Sequence, residues 1–195
     1  MESFTQQVAS IAELIKDRRS VRVFKKDPVP RELIVELLNI AIWAPNHGNR
    51  QPWRFILCMD EGRSGFADAM VATYSAEERA KYGANRHEYL LAIPAHVVVI
   101  QKEDPRHKQW EEDYAAVCCL IQNFQLAAWE RELGVVWKTN NYLNDPGFRA
   151  SIGIQPGEKI VGILHVGFPE VVPPVRPRTA ADELLTIIDK TSLSN

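Results

Sequence analysis

The sequence of 195 residues lacks the features that mark membrane, secreted and nucleic-acid-binding proteins. No uninterrupted apolar run approaches the ~18 residues that a membrane-spanning helix needs. The opening stretch, MESFTQQVASIAELIKDRRS, has no basic segment followed by an apolar one, as a signal peptide would. The formal net charge is −2, which predicts no general attraction to nucleic acid or anionic membrane. Together these absences predict a soluble, cytoplasmic protein without nucleic-acid or membrane partners.

Cysteine is scarce, and its spacing argues against the usual cysteine-based sites. There are three cysteines, Cys58, Cys118 and Cys119. An odd count without Cys-x-x-Cys does not fit a zinc site or a redox dithiol. Neighbours on a helix point in different directions, so the adjacent pair is badly placed for a disulfide. We therefore predict structural, buried thiols. The histidines also lack metal-ligand spacing, so no metal site is predicted.

Several nucleotide-binding and catalytic motifs are missing as well. No Gly-x-Gly-x-x-Gly follows a predicted strand, so a Rossmann fold has no support. Neither a P-loop nor Gly-x-Ser-x-Gly is present, and no acid/base pair stands out. The chain itself thus shows little reacting machinery.

What is present predicts a single globular domain over residues 1–195, since 46% of residues are hydrophobic and 25% charged. Short apolar, β-branched runs predict strands, and apolar residues at helical spacing predict helices. Helices come first and strands separated by helices follow, which favours an α+β fold with a mixed sheet and long helices. The predicted strands are 53–59, 95–101, 135–139 and 159–169. The first predicted helix contains Val8, Ile11, Ala12 and Ile15, and the others are 27–44, one or two within 61–92, and 111–133. A last short helix or strand is predicted near 181–188.

Four polar stretches are candidates for binding chemistry. RRSVR (18–22) supplies guanidinium forks and a hydroxyl suited to phosphate, although arginines also favour the C-terminal end of a helix. PVRPRT (174–179) could be a second anion clamp or solubilising charge. APNHGNRQPW (44–53) offers amides and an imidazole between prolines, as a binding wall or a polar surface loop. GVVWKTN (134–140) ends a strand in an aromatic, a cation and a hydroxyl, where pockets often lie, or is simply an amphipathic strand end.

Together these stretches resemble the nitroreductase family of flavin-dependent oxidoreductases. RRSVRVF, then APNHGNRQPWRF about twenty residues later, then GVVWKT, and finally IVGILHVGFP with a following RPR occur in family order and at family spacing. The resemblance covers essentially the whole chain and is strongest to the compact bacterial members. It implies a nitroreductase-like, mainly antiparallel sheet flanked by helices, in a domain-crossed homodimer.

The resemblance also implies which residues bind flavin mononucleotide (FMN). Arg18, Arg19 and Ser20 match the phosphate-binding residues, assisted by Arg178, and Arg22 matches a cation near the pyrimidine edge of the flavin. The loop along the ring and ribityl chain is matched by Trp43, Pro45, Asn46 and His47. The family's N-x-Q-P-W amides are matched by Asn49 and Gln51, and its flavin-contacting strand end by Trp137, Lys138 and Thr139. Asn46-His47 replaces the small hydroxyl residues of many relatives, and Trp43 and Lys138 also vary in the family.

The activity implied is hydride transfer from NADH or NADPH through flavin N5 to an electron-poor small molecule, such as a nitroaromatic or quinone, in ping-pong order. No catalytic side chain is expected, because the cofactor carries the chemistry. Two alternatives keep the flavin: a storage or sensing module without turnover, and another flavin reaction such as dehydrogenation.

Overall fold

The computed structural model of the chain describes residues 10–188, and its centre is a four-stranded sheet. The sheet order is β2-β3-β5-β4, and every pairing in it is antiparallel. A separate two-stranded antiparallel ribbon pairs β1 with β6. The strands of the described part are β1 (Val23–Phe24), β2 (Trp53–Met59), β3 (Ala95–Lys102), β4 (Gly134–Lys138), β5 (Glu158–Gly167) and β6 (Pro169–Val171).

Helices flank the sheet on both faces, which confirms the predicted α+β architecture. None of those in the described part combines the length and apolar composition that a membrane crossing needs. A π-helical turn, Arg79–Gly83, joins the fourth helix to the fifth. The helices are α1 (Ile11–Asp17), α2 (Arg31–Ala41), α3 (Gly62–Ala72), α4 (Ala76–Glu78), α5 (Ala84–Leu91), α6 (His107–Glu130), α7 (Pro146–Ser151) and α8 (Ala181–Leu184).

The central strand β3 shows why the sheet is covered on both sides. Val97 and Val99 belong to a hydrophobic cluster with buried residues of α2 and α6. Val98 and Ile100 belong to a second cluster with residues of α3 and α7. Successive strand residues point to opposite faces, so a strand buried on both must be apolar throughout.

The basic stretch after α1 lies against the edge strand β4. Ser20 forms an isolated parallel bridge with Val135, and the Val21 amide donates to the Val135 carbonyl at 3.2 Å. A β-carbon on Gly134 would lie 2.6 Å from Cβ of Val21. Glycine at 134 therefore allows the close approach that fixes residues 18–22 beside the sheet.

The four predicted strands are confirmed to within two residues, and β2 matches at both ends. The predicted helix from 111 is wrong at its start, because α6 begins at His107. Its first two residues, His107 and Lys108, are polar and exposed, so they carry no apolar period. Val8, placed in the first predicted helix, lies outside the described residues.

Short elements account for the other differences. β1 and β6 were not predicted, since strands of two and three residues carry too little pattern and depend on their mutual pairing. α7 was also missed. It begins with a proline, and the Asp145 side chain caps it by accepting from the Phe148 amide at 2.8 Å. Within 181–188 the structure has the helix alternative, confined to Ala181–Leu184.

Candidate functional site

A cavity of about 690 Å³ gathers the basic residues from the two ends of the described chain. We call it the arginine cavity. Its polar lining includes Arg18, Arg19, Ser20, Arg22 and Arg178, the five residues that the resemblance assigns to phosphate and pyrimidine binding. The rest of the lining is Ile15, Lys16, Pro173, Pro174, Val175, Arg176 and Pro177. The fold therefore brings together two stretches that lie more than 150 residues apart in sequence.

Arg18 is the most constrained guanidinium of the arginine cavity. Its Nη1 donates to Oε1 of Gln125 on α6 at 3.5 Å, while its Nε is buried with no acceptor among the described residues. Burial, and then the charges of Arg19 and Arg178, lower the pKa of Arg18. A buried donor without an acceptor is costly, so this position favours an anion.

Two other cations of the arginine cavity, Arg19 and Arg178, donate to backbone carbonyls. Arg19 donates through Nη1 to the carbonyls of Lys16 (2.6 Å) and Arg18 (2.9 Å). Arg178 donates through Nη1 to the carbonyl of Arg176 at 3.1 Å. Within residues 10–188, no arginine of this cavity forms an ion pair; the arginine ion pairs belong to Arg50, Arg54, Arg106 and Arg131. Carbonyls orient the guanidiniums but do not neutralise them.

The predicted loop, residues 44–53, has an unusual backbone. Gly48, Asn49 and Gln51 have φ of 62°, 49° and 49°, in the left-handed region that non-glycine residues seldom adopt. Asn46 fixes the turn, because its Oδ1 accepts from the Gln51 amide at 2.9 Å and its Nδ2 donates to the Ala44 carbonyl at 3.2 Å. Pro45, His47, Asn49 and Gln51 are exposed and Asn46 is half-buried.

Trp43, at the first shoulder of the loop, is 86% exposed. It lines a shallow apolar groove of about 600 Å³ along α2, with Val35 and Ile40 among its walls. This groove and the arginine cavity share no lining residue. Neither lining includes a residue of the loop 44–53, so within the described residues the loop does not line the arginine cavity.

The residues at the end of β4 face different ways. Trp137 packs on the cluster that includes α2 and α6, and its Nε1 donates to the Val161 carbonyl at 3.3 Å. A β-carbon on Gly162 would collide with this indole. Lys138 takes the opposite face of the strand, where burial, and then Arg22 and Arg86, lower its pKa. Thr139 lies exposed, one residue beyond the strand.

Sequence reasoning missed two residues on α6. Gln125, which contacts Arg18, is buried; Asp113, which pairs with Arg50 of the loop, is also buried. They are twelve residues apart, about 18 Å along the helix axis. The sequence could have flagged both as polar residues on an otherwise apolar face of the helix. The arginines that they contact are known only from the fold.

A buried histidine pair lies between β3 and β5, where His96 and His165 are register partners. Nδ1 of His96 and Nδ1 of His165 are 2.8 Å apart, and Nε2 of His96 lies 3.1 Å from the Leu90 carbonyl. Since a carbonyl only accepts, His96 carries its proton on Nε2 and accepts from His165 at Nδ1. Burial lowers the pKa of His96 to about 4 and that of His165 well below its usual value.

The remaining titratable groups do not assemble a metal centre. Within residues 10–188, no group of three His, Cys, Asp or Glu side chains could hold a metal ion. The three cysteines are free, and burial raises the pKa of Cys58 to about 11. The prediction of buried thiols is wrong for Cys119, which is exposed on α6.

The fold is an antiparallel sheet flanked by helices, with an arginine-lined cavity beside the edge strand β4. Comparison with known proteins identifies the family. The model of the nitroreductase family matches residues 15–168. A nitroreductase-like family protein from Bacillus cereus is 46% identical, with a TM-score of 0.90, over 97% of this chain and 99% of that one. The chain belongs to the nitroreductase family, as its motifs predicted.

Other relatives agree. YfhC of Bacillus subtilis, provisionally assigned as an NAD(P)H nitroreductase, is 34% identical over 92% of this chain and 95% of its own length. A nitroreductase from Desulfovibrio desulfuricans in complex with FMN has a TM-score of 0.74 at 22% identity, covering 93% of this chain and 98% of that chain. The second likeness shows the shared fold.

Proposed function

We propose that this chain is an FMN-dependent NAD(P)H oxidoreductase of the nitroreductase family. Bound FMN would supply the chemistry, accepting a hydride at N5 from NADH or NADPH and passing it to an electron-poor acceptor, such as a nitroaromatic or quinone, in ping-pong order. The observation that carries the proposal is the arginine cavity, whose cations have no carboxylate partner within residues 10–188.

The donors of the arginine cavity fit a phosphate monoester. Arg18 contributes a buried Nε without an acceptor, Arg19 and Arg178 contribute oriented guanidiniums, and Ser20 contributes a hydroxyl. Guanidiniums match phosphate oxygens in geometry and charge, and such charge-assisted bonds are short and strong. We assign these four residues to the FMN phosphate.

Next to the phosphate donors, Arg22 and Lys138 provide positive potential for the pyrimidine edge of the ring. They are close enough for Arg22 to contribute to the lowered pKa of Lys138. A cation at this edge stabilises the negative charge that a flavin gains on reduction. Their role is electrostatic, and neither needs to exchange a proton.

The loop and the end of β4 would frame the ring and ribityl chain. Exposed amide and imidazole groups of the loop are available as hydrogen-bond donors and acceptors, and the exposed Trp43 indole as a flat wall. We assign this role to Trp43, Pro45, Asn46, His47, Asn49, Gln51, Trp137 and Thr139.

We further propose that the working form is a domain-crossed homodimer, located in the cytoplasm. Leu184, Leu185 and Ile188 near the C-terminal end of the described chain are 63–75% exposed, an apolar surface typical of an interface. The edge strand β2 is paired only on its β3 side within the described residues. A second chain would also bring its loop towards the arginine cavity, which the loop does not line within the described residues of one chain.

The first test is the visible absorption spectrum of the purified protein, taken before and after anaerobic NADPH and then NADH. We expect flavin bands that bleach with at least one donor. Bands that persist under both donors would instead indicate a storage or sensing module, and product analysis with an acceptor would separate reduction from dehydrogenation. A colourless protein that takes up no added FMN would contradict the proposal.

The second test addresses the phosphate assignment. Arg18→Ala and Arg178→Ala each remove charge-assisted contacts worth about 1.5–3 kcal/mol, so FMN should bind at least about tenfold more weakly. Arg131→Ala, which removes an exposed ion pair with Glu36, is the matched control. Equal FMN affinity in all three variants would remove the assignment.

A further inference from the structure

The loop that we assign to the flavin is attached to α6 by one ion pair. Nε of Arg50 donates to both Asp113 carboxylate oxygens, at 3.2 and 3.3 Å, and its Nη2 donates to Oδ2 of Asp113 at 3.1 Å. A guanidinium that engages a carboxylate through two nitrogens is fixed in orientation as well as position. Arg50 therefore ties the middle of the loop to one point on the helix.

The anchor end of this ion pair is rigid. Asp113 is 1% exposed, and its Oδ1 also accepts from Nε2 of Gln109, one turn earlier on α6, at 3.2 Å. Arg50 also donates through Nη2 to Asp104 at 2.8 Å, and Asp104 is held in turn by Arg106. The loop is thus connected both to α6 and to the segment that precedes it.

The backbone on either side of Arg50 requires such an anchor. Arg50 itself has helical angles (φ −68°, ψ −27°), but Asn49 before it and Gln51 after it are left-handed. The side chains of Asn49 and Gln51 meet each other, since Nε2 of Gln51 donates to Oδ1 of Asn49 at 3.5 Å, whereas Arg50 reaches Asp113 on α6. Residues held in sparsely populated regions persist only when surrounding contacts fix them.

We propose that Asp113 is a positioning residue of the flavin site: through Arg50 it holds residues 46–51 in the conformation that binds FMN. It does not contact the cofactor. This role rests on the proposed function, because it assumes that the loop lines the flavin, and it assigns a function in binding to a buried carboxylate on a helix.

The test compares Asp113→Asn and Arg50→Lys with wild type, using FMN affinity from quenching of flavin fluorescence. Substituting an outer contact of a binding site commonly costs 10–100-fold, so we expect FMN to bind about tenfold more weakly in each variant. The double variant should lose little more than either single one, since both break the same link. Arg50→Lys changes an exposed residue, so it keeps the test decisive if Asp113→Asn does not fold.

Glu158→Gln is the matched control, because the Arg54–Glu158 pair is also bidentate but lies outside the loop, with Arg54 on β2. It should lower thermal stability without changing FMN affinity. Wild-type FMN affinity in the Asp113 and Arg50 variants, with only Tm lowered, would show a purely structural ion pair and overturn the proposal.

A second readout needs no flavin. In the flavin-free protein, the Gln51 amide donates to Asn46 Oδ1, so its hydrogen exchange reports the loop conformation. We expect faster exchange at Gln51 in Asp113→Asn and Arg50→Lys, and no change in Glu158→Gln. Unchanged exchange would overturn the anchoring role, whereas changed exchange in a protein that never binds FMN would overturn the proposed function and the binding role together.

Discussion

Two regions of this molecule concentrate arginine, and they differ in how the charge is balanced. Around Arg50, two guanidiniums face two carboxylates, Asp104 and Asp113, at hydrogen-bond distance. In the arginine cavity, Arg18, Arg19 and Arg178 meet only amides and carbonyls. In the first region, carboxylates of the same chain neutralise the arginines; in the second region, no described carboxylate does.

The difference separates structural cations from ligand-binding ones. Arginine side chains brought together without acids repel each other, and this repulsion contributes to the lowered pKa of Arg18. A fold gains no stability from such an arrangement by itself, so an anion from outside the chain is the natural partner. The two regions differ in whether carboxylates neutralise their arginines, not in how many arginines they contain.

The largest effect should come from giving the arginine cavity the acid that it lacks. Gln125→Glu would place a carboxylate beside Arg18, 3.5 Å from its Nη1 in the wild-type geometry. We expect FMN affinity to fall by about two to three orders of magnitude, through a lost phosphate contact and repulsion between anions. The free energy of unfolding of the flavin-free protein should rise by about 1 kcal/mol. Fluorescence titration and urea unfolding measure the two quantities.

Gln125→Met is the control, since it removes the amide without adding charge and should weaken FMN binding much less. If Gln125→Glu bound FMN as wild type does, Arg18 would not be a phosphate ligand, and the contrast between the regions would lose its functional meaning.

Acid should act on the buried histidines before it acts on Asp104. Arg106 and Arg50 hold the pKa of Asp104 well below its usual range, so its contribution persists until strongly acid pH. Burial lowers the pKa of His96 to about 4, and the unfolded chain therefore binds a proton first. Stability from His96 is complete above pH 6.5 and falls by about 3 kcal/mol towards pH 4. His165, whose pKa is lowered as well, adds to this loss.

Urea unfolding at several pH values tests whether the histidines cause the loss of stability in acid. The double variant His96→Gln/His165→Gln should lose the slope between pH 6.5 and 4, whereas His87→Gln, at the surface beside Asp68, should keep it. If the pH dependence of the unfolding free energy survives in the double variant, the acid sensitivity belongs to carboxylates instead, including those in the ion pairs.

The sequence predicted the arginine-containing stretches of both regions but not the residues that these arginines contact. The basic stretch 18–22 and the loop 44–53 are contiguous, so their residue types could be read directly, and the β-branched runs located the main strands. Gln125 and Asp113 could not be assigned, because each meets its arginine across 107 or 63 residues. Whether a cation is paired or unpaired is a property of the tertiary fold, and it decides the function of that cation.

Replacing arginine by alanine should affect stability unequally in the two regions. Arg50→Ala leaves the buried carboxylate of Asp113 without its main partner, which should clearly lower the free energy of unfolding. Arg178→Ala relieves repulsion and should change stability by less than about 0.5 kcal/mol. Urea unfolding of both flavin-free variants measures the difference; equal losses would show that Arg178 is structural.

The smallest effect is that of inorganic phosphate on the flavin-free protein. Phosphate at a concentration several times its dissociation constant stabilises a protein by about 1 kcal/mol, which raises Tm by a few degrees for a chain of this size. We expect such a rise in wild type and Arg50→Lys, relative to chloride at equal ionic strength, but not in Arg18→Ala. Because both arginine regions experience the same ionic strength, only a cation without an internal partner should distinguish phosphate from chloride. A rise that persists in Arg18→Ala would place phosphate elsewhere and make the unpaired cations of the arginine cavity incidental.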